Sequence, residues 1–193
     1  MDKVELRMYG IVPYNISPIQ QGIQFGHAVV EYGQKIKRIG ENKKILHKQY
    51  DDWADNWKTF IILNGGTSNH TINRYQYKDE YFLGSMEKHL DSLQMNDVEV
   101  ATFYEPDLND MLSAIVFIVD EKVFNKEKYP NFNDWLIQNY GDLVLEKPFK
   151  DFSKLMSDSS SKEDQKIWQS WVNFVGGKKN VFLREFLQNF RLA

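Results

Sequence analysis

The sequence predicts an α/β fold: a mixed four-stranded sheet flanked by helices, followed by a helical C-terminal extension. Three observations carry this reading. Four short apolar runs read as strands, at Leu6 to Val12, Thr59 to Leu63, Val98 to Phe103 and Leu112 to Val119. Helical patterns separate the first three runs, as in layered α/β domains. No helix separates the last two, which predicts an antiparallel pair and therefore a mixed sheet.

The first run is closed by Pro13, and Tyr14-Asn15-Ile16 forms a turn. Ser17 then suits an N-cap, Pro18 the first helical position, and Gln20 completes a capping box. The helix is expected to reach about Arg38, with Gly40 ending it. Ile19, Ile23, Val30 and Tyr32 would form its apolar face. Gly22 and Gly26 share one face, where a close strand or ligand could offset their cost of about 1 kcal/mol each. Asp51 to Trp57 reads as a short helical segment.

The uninterrupted run at Thr59 to Leu63 predicts a central strand buried on both faces. Asn64-Gly65-Gly66 breaks it, and the polar stretch from Thr67 to Lys78 reads as a loop. Phe82, Met86, His89, Leu90 and Leu93 stripe the next helix. After Asp120 the texture changes. Helices are expected at Phe132 to Tyr140 and Lys162 to Val175, the latter stopped by Gly176-Gly177. A final helix is striped by Val181, Leu183, Phe186, Leu187 and Phe190. Ser157-Asp158-Ser159-Ser160-Ser161 is a polar linker or loop. The boundary falls near residue 124, with an α/β domain over 1–124 and a helical extension over 125–193.

Composition narrows the function classes. The 193 residues are 42% apolar, enough for a core without staples. No cysteine is present, which excludes disulfides, thiolate metal sites and a cysteine nucleophile. His27, His47, His70 and His89 lack metal-ligand spacing, so no metal and no cofactor are expected. The charged start, Met1-Asp2-Lys3-Val4-Glu5-Leu6, does not fit a signal sequence. No apolar run approaches the roughly 20 residues of a membrane span. A cytoplasmic protein without a membrane partner is expected, in the host cytoplasm if the source is viral.

A net charge of -3 gives no overall attraction to nucleic acid. Locally, Lys35, Lys37, Arg38, Lys43, Lys44 and Lys48 face one acid, Glu41. They are candidates for phosphate contact, or else a solvated helix end whose cations suit the macrodipole. His27 is a candidate general base or phosphate partner, or else a histidine bonded within helix–sheet packing. Glu105 and Asp107 could orient a water or a histidine, or bind a ribose hydroxyl, or simply form a solvated acidic turn held by Pro106. Asn64, Gly65 and Gly66 follow a strand where backbone N–H groups can meet anions, or form a plain turn. Trp168 and Trp171 read as core or interface rather than as a base-stacking pair.

Gln24, His27 and Ala28 match a Q-x-x-H-A helix. With the preceding strand, the segment resembles the first strand and helix of type 2 peptidyl-tRNA hydrolases. Trp57-Lys58-Thr59-Phe60-Ile61-Ile62-Leu63 resembles the second strand of bacterial and phage-type relatives. Phe103-Tyr104-Glu105-Pro106-Asp107-Leu108, followed by Ser113-Ala114-Ile115, resembles their F-x-E-P-D segment and final strand. The resemblance spans about Arg7 to Phe124. It implies a small mixed four-stranded sheet and hydrolysis of the ester between a peptide and its tRNA. His27, Glu105 and Asp107 would be catalytic. Gln20, Gln24, Lys35, Lys37, Arg38, Lys43, Lys44, Asn64, Gly65 and Gly66 would bind substrate, and tRNA or a nucleotide would be the partner.

Better-known members carry K-G-K ahead of the glutamine–histidine pair, and a lysine there is held to be catalytic. Pro18, Ile19 and Gln20 occupy those positions here. Glu105-Pro106-Asp107 likewise stands where members carry D-A-G. A second expectation follows: a relative without catalysis that binds tRNA, a nucleotide or another small anion. A third is a protein-interaction module, or a homodimer, joined through the aromatic C-terminal helices.

Overall fold

The computed structural model describes residues 3–38, 44–68, 84–146 and 162–193. The chain divides into two compact units: Met1–Asp120 with Gln188–Ala193, and Glu121–Leu187.

The first unit is built on a mixed sheet of β1 (Leu6–Val12), β2 (Thr59–Asn64), β3 (Ala101–Glu105) and β4 (Met111–Asp120), in the order β2-β1-β4-β3. β1 pairs parallel to β2, with Met8 opposite Phe60, and antiparallel to β4, with Met8 opposite Ile118. β3 and β4 form the expected antiparallel pair. Two antiparallel steps make β3 parallel to β1. Val12, Asn64 and Glu105 therefore all sit at carboxyl ends on one end of the sheet.

β2 departs from expectation. It is an outer strand, not a central one, and among its residues only Leu63 is buried. The continuously buried strand is β4. A run of apolar residues does not distinguish two-sided burial from partial cover at an edge. Here the cover is the C-terminus: Leu192 bridges Leu63, Asn64 N–H donates to Arg191 O at 2.9 Å, and Ala193 N–H donates to Ile62 O at 3.0 Å. Backbone groups that an edge strand would leave open are thereby satisfied.

α1 (Pro18–Arg38) starts as expected. Gln20 N–H donates to Ser17 Oγ at 3.3 Å, and Ser17 N–H donates to Gln20 Oε1 at 3.1 Å, the reciprocal capping box. Its buried face, however, is Gln24, Phe25, Ala28, Tyr32, Gly33 and Ile36. Of the four residues expected there only Tyr32 is buried; Ile19, Ile23 and Val30 are 78%, 51% and 62% exposed. The true face follows the 3.6-residue period from Phe25 through Ala28 and Tyr32 to Ile36. A buried glutamine within it hid that period from a reading by hydrophobicity.

Gly22 and Gly26 also differ from expectation, because a Cβ at either would meet no atom within 4 Å. The glycine that close packing requires is Gly10, over which the Phe25 ring lies. Together with Met8, Val12, Ala114 and Val116, these α1 side chains form the core on one sheet face.

α2 (Lys44–Asp52), which has no buried residue, is not among the expected helices; the segment expected to be helical at Asp51 to Trp57 continues it as a π-helical turn, Trp53–Trp57. Trp53 anchors that turn edge-on against Phe60. α3 (Ser85–Met95) covers the other sheet face, where Met86 and Ile11 converge beside Gly65. Phe82, Gly40 and the segments at 69–78 and 157–161 lie outside the described residues. β3 begins at Ala101 rather than Val98, although Val98 and Val100 are both buried.

The second unit contains α4 (Glu121–Phe124), α5 (Phe132–Glu146), α6 (Lys162–Phe174) and α7 (Lys178–Phe186). α5 runs beyond the expected Tyr140, where the backbone is locally non-helical. Trp171 is buried among Phe132, Trp135 and Val172, with Trp168 packed on the same cluster. Trp171 Nε1–H donates to Pro130 O at 3.1 Å. Both tryptophans thus serve a core. No helix among the described residues is long and apolar enough to cross a membrane.

Candidate functional site at the α1–β3 seam

α1 and β3 lie side by side and run in opposite senses. Gln24 meets Glu105, His27 meets Phe103, and Lys35 meets Glu99 and Val100. The seam carries a chain of polar contacts at the carboxyl end of β3.

A bulge builds the centre of that chain. Phe103 pairs with Ala114 and Tyr104 with Leu112, so Ser113 is an extra residue on β4. A bulge re-aims its side chain, and the Ser113 hydroxyl lies 3.1 Å from both Gln24 Oε1 and Phe103 O, sharing its one hydrogen. The Gln24 amide donates in turn to Glu105 Oε2. Gln24 is only 4% exposed, so both ends of its amide need partners, and it has them. The other oxygen of Glu105 accepts Asp107 N–H at 3.3 Å, which caps the 3₁₀ turn Pro106–Leu108. Glu105 is a half-buried carboxylate held at both oxygens.

His27 is exposed one turn beyond Gln24. Its ring stacks on Phe103 at 4.5 Å and 15°. Phe103 and Glu105 are two apart on β3 and lie on one face. The stack therefore fixes an imidazole plane on the same flank as the held carboxylate.

The structure thus brings His27, Gln24 and Glu105 together, with Asp107 exposed on the adjoining turn. It places the other candidates elsewhere. Gln20 is occupied by the capping box. Asn64, Gly65 and Gly66 sit at the same end of the sheet but on the opposite edge, about 14 Å across by strand spacing. Their donors are used internally: Gly65 N–H goes to Val12 O at 2.8 Å and Gly66 N–H to Asn64 Oδ1 at 2.9 Å. Lys35 bonds to Glu99 at 2.6 Å and to Val100 O at 2.7 Å. Lys37, Arg38 and Lys44 are exposed near the far end of α1, and Lys43 lies outside the described residues. Among the described residues no group of three or more His, Asp and Glu side chains is placed to hold a metal ion.

Ser113 and Phe103, which carry no expected role in the sequence, complete the site. Ser113 had a readable signal, being the one polar residue in β4 before its terminal Asp120. No protein-family model matches the chain, and no curated protein matches it.

Proposed function

We propose that the chain hydrolyses the ester linking a peptide to tRNA, working from the α1–β3 seam. One observation carries the reading: the Gln24–Glu105 hydrogen bond joins the two segments that resemble the hydrolase family, with His27 exposed beside it. In this mechanism a water oxygen attacks the ester carbonyl carbon while His27 takes its proton. The bond to the ribose oxygen then breaks, and His27 returns the proton to that oxygen. The products are a free peptide acid and a tRNA with a free terminal hydroxyl. Glu105 accepts a hydrogen bond from the ribose or the water. Gln24 and Ser113 act as positioning residues that hold Glu105. Lys37 and Lys44 contact the RNA backbone, which makes binding weaken with salt.

Pro18, Ile19 and Gln20 at the positions of the family lysines favour a second reading, in which the same seam binds tRNA without turnover. Incubation of the chain in excess over a labelled peptidyl-tRNA separates the two. Released peptide supports hydrolysis. A mobility shift without release supports binding alone, and neither release nor shift removes both.

A further inference from the structure

A second recognition feature lies at the other end of the α1–β3 seam. Strand order leaves the outer side of β3 without a partner strand among the described residues. An edge strand turns alternate N–H and C=O groups outward. Just before the strand, Lys35 Nζ donates to Val100 O at 2.7 Å. Within β3, Phe103 O faces β4, where Ser113 Oγ donates to it at 3.1 Å, so the alternate residue Thr102 turns its backbone outward. Beside it opens a groove of about 380 Å³, lined by Val100, Ala101 and Thr102, by Gln94 at the end of α3, and by Glu31, Lys35 and Arg38 of α1.

The charges along this groove are ordered. Glu31, Lys35 and Arg38 recur every three or four residues and share a helix face. Glu99 neutralises Lys35 through a 2.6 Å ion pair. Among the described residues no ion pair engages Glu31 or Arg38. One anion and one cation therefore remain, two helical turns or about 10 Å apart. A polyanion would meet Glu31 unfavourably. An extended tripeptide, whose ends are also about 10 Å apart, matches both charges and can bond along the strand edge.

We propose that this groove binds a short, extended peptide with free ends. Its carboxylate sits on Arg38, its amino group on Glu31, and its main chain on the Thr102 backbone. Ester hydrolysis is not required for this, so peptide release and groove binding can fail independently.

The test is an amide-resolved NMR titration of the full chain with zwitterionic trialanine, with acetylated and amidated trialanine as the control. Saturable shifts at Ala101 and Thr102 are expected. The blocked peptide, Arg38→Gln and Glu31→Gln should each weaken binding about tenfold. No saturable shift at Thr102 at millimolar trialanine would overturn the proposal. Equal binding of the blocked peptide would overturn it too, as would shifts there with inorganic phosphate but not trialanine. Self-association that moves the same amides, seen as a doubled mass in solution, would assign the edge to a second copy instead. Both variants are surface changes on α1. If either fails to fold, the comparison of free with blocked peptide on the unaltered chain still decides.

Discussion

Gln24 and Glu105, 81 residues apart in sequence, are joined by a hydrogen bond from the Gln24 amide to Glu105 Oε2, and Ser113 meets the same amide from β4. Three elements thereby converge on one buried side chain. Gln24→Ala should cost about 1–3 kcal/mol, because it removes the side-chain donor to Glu105 Oε2 and one of the two acceptors of the buried Ser113 hydroxyl. Chemical denaturation of Gln24→Ala, Glu105→Ala and the double variant should give a coupling of at least about 0.5 kcal/mol. Strict additivity would mean that the contact contributes nothing.

Glycine-to-alanine changes in the first unit should differ in sign. Gly10→Ala pushes a methyl into the Phe25 ring and should destabilise by about 1–3 kcal/mol. Gly22→Ala and Gly26→Ala face open space on an exposed helix and should stabilise by about 1 kcal/mol each. Urea midpoints of the three single variants check this.

His89 supplies a pH dependence. Burial holds its pKa below the ordinary histidine value, opposed by a hydrogen bond with the Gly65 backbone, and Phe190 lies 4.7 Å from its ring. The folded state then binds a proton less readily than the unfolded chain. Its stability contribution is complete above the unfolded value, about 6.5, and falls away as pH drops through the lowered folded value. Melting temperatures across that window should fall more steeply for the parent chain than for His89→Gln. An unchanged slope would remove His89 as the cause.

Arg184 should matter to the second unit in particular. Its guanidinium donates to Lys122 O at 2.5 Å, and to Tyr129 O and Asn131 Oδ1, both at 2.8 Å. It is buried, which lowers its pKa without removing the charge. Arg184→Met removes all three charge-assisted hydrogen bonds and should cost about 3 kcal/mol. Amide hydrogen exchange should show the loss within Glu121–Leu187, with β1 and β4 retaining protection.

The four strands were legible because apolar runs bounded by proline, glycine and acidic turns leave little choice of state. The capping box at Ser17 and Gln20 was legible for a similar reason, since its bonds close within one turn. What sequence patterning missed depends on distant partners. The edge position of β2 depends on Arg191, Leu192 and Ala193 returning to pair with it. The buried face of α1 includes Gln24, whose burial makes sense only with Glu105 and Ser113 in place. His27 and Glu105 were identifiable as candidates from their motifs, whereas the bulge that turns Ser113 toward them arises from a register shift that no local pattern records.

The central claim is that this seam performs ester hydrolysis with His27 moving the proton. Its most direct test is single-turnover release of peptide from a peptidyl-tRNA by the parent chain and by His27→Ala. The expected result is release by the parent and a loss of about 10²–10⁴-fold in the variant, with little change in melting temperature because His27 is exposed. Equal release by both proteins, or none from the parent in excess over substrate, would contradict it.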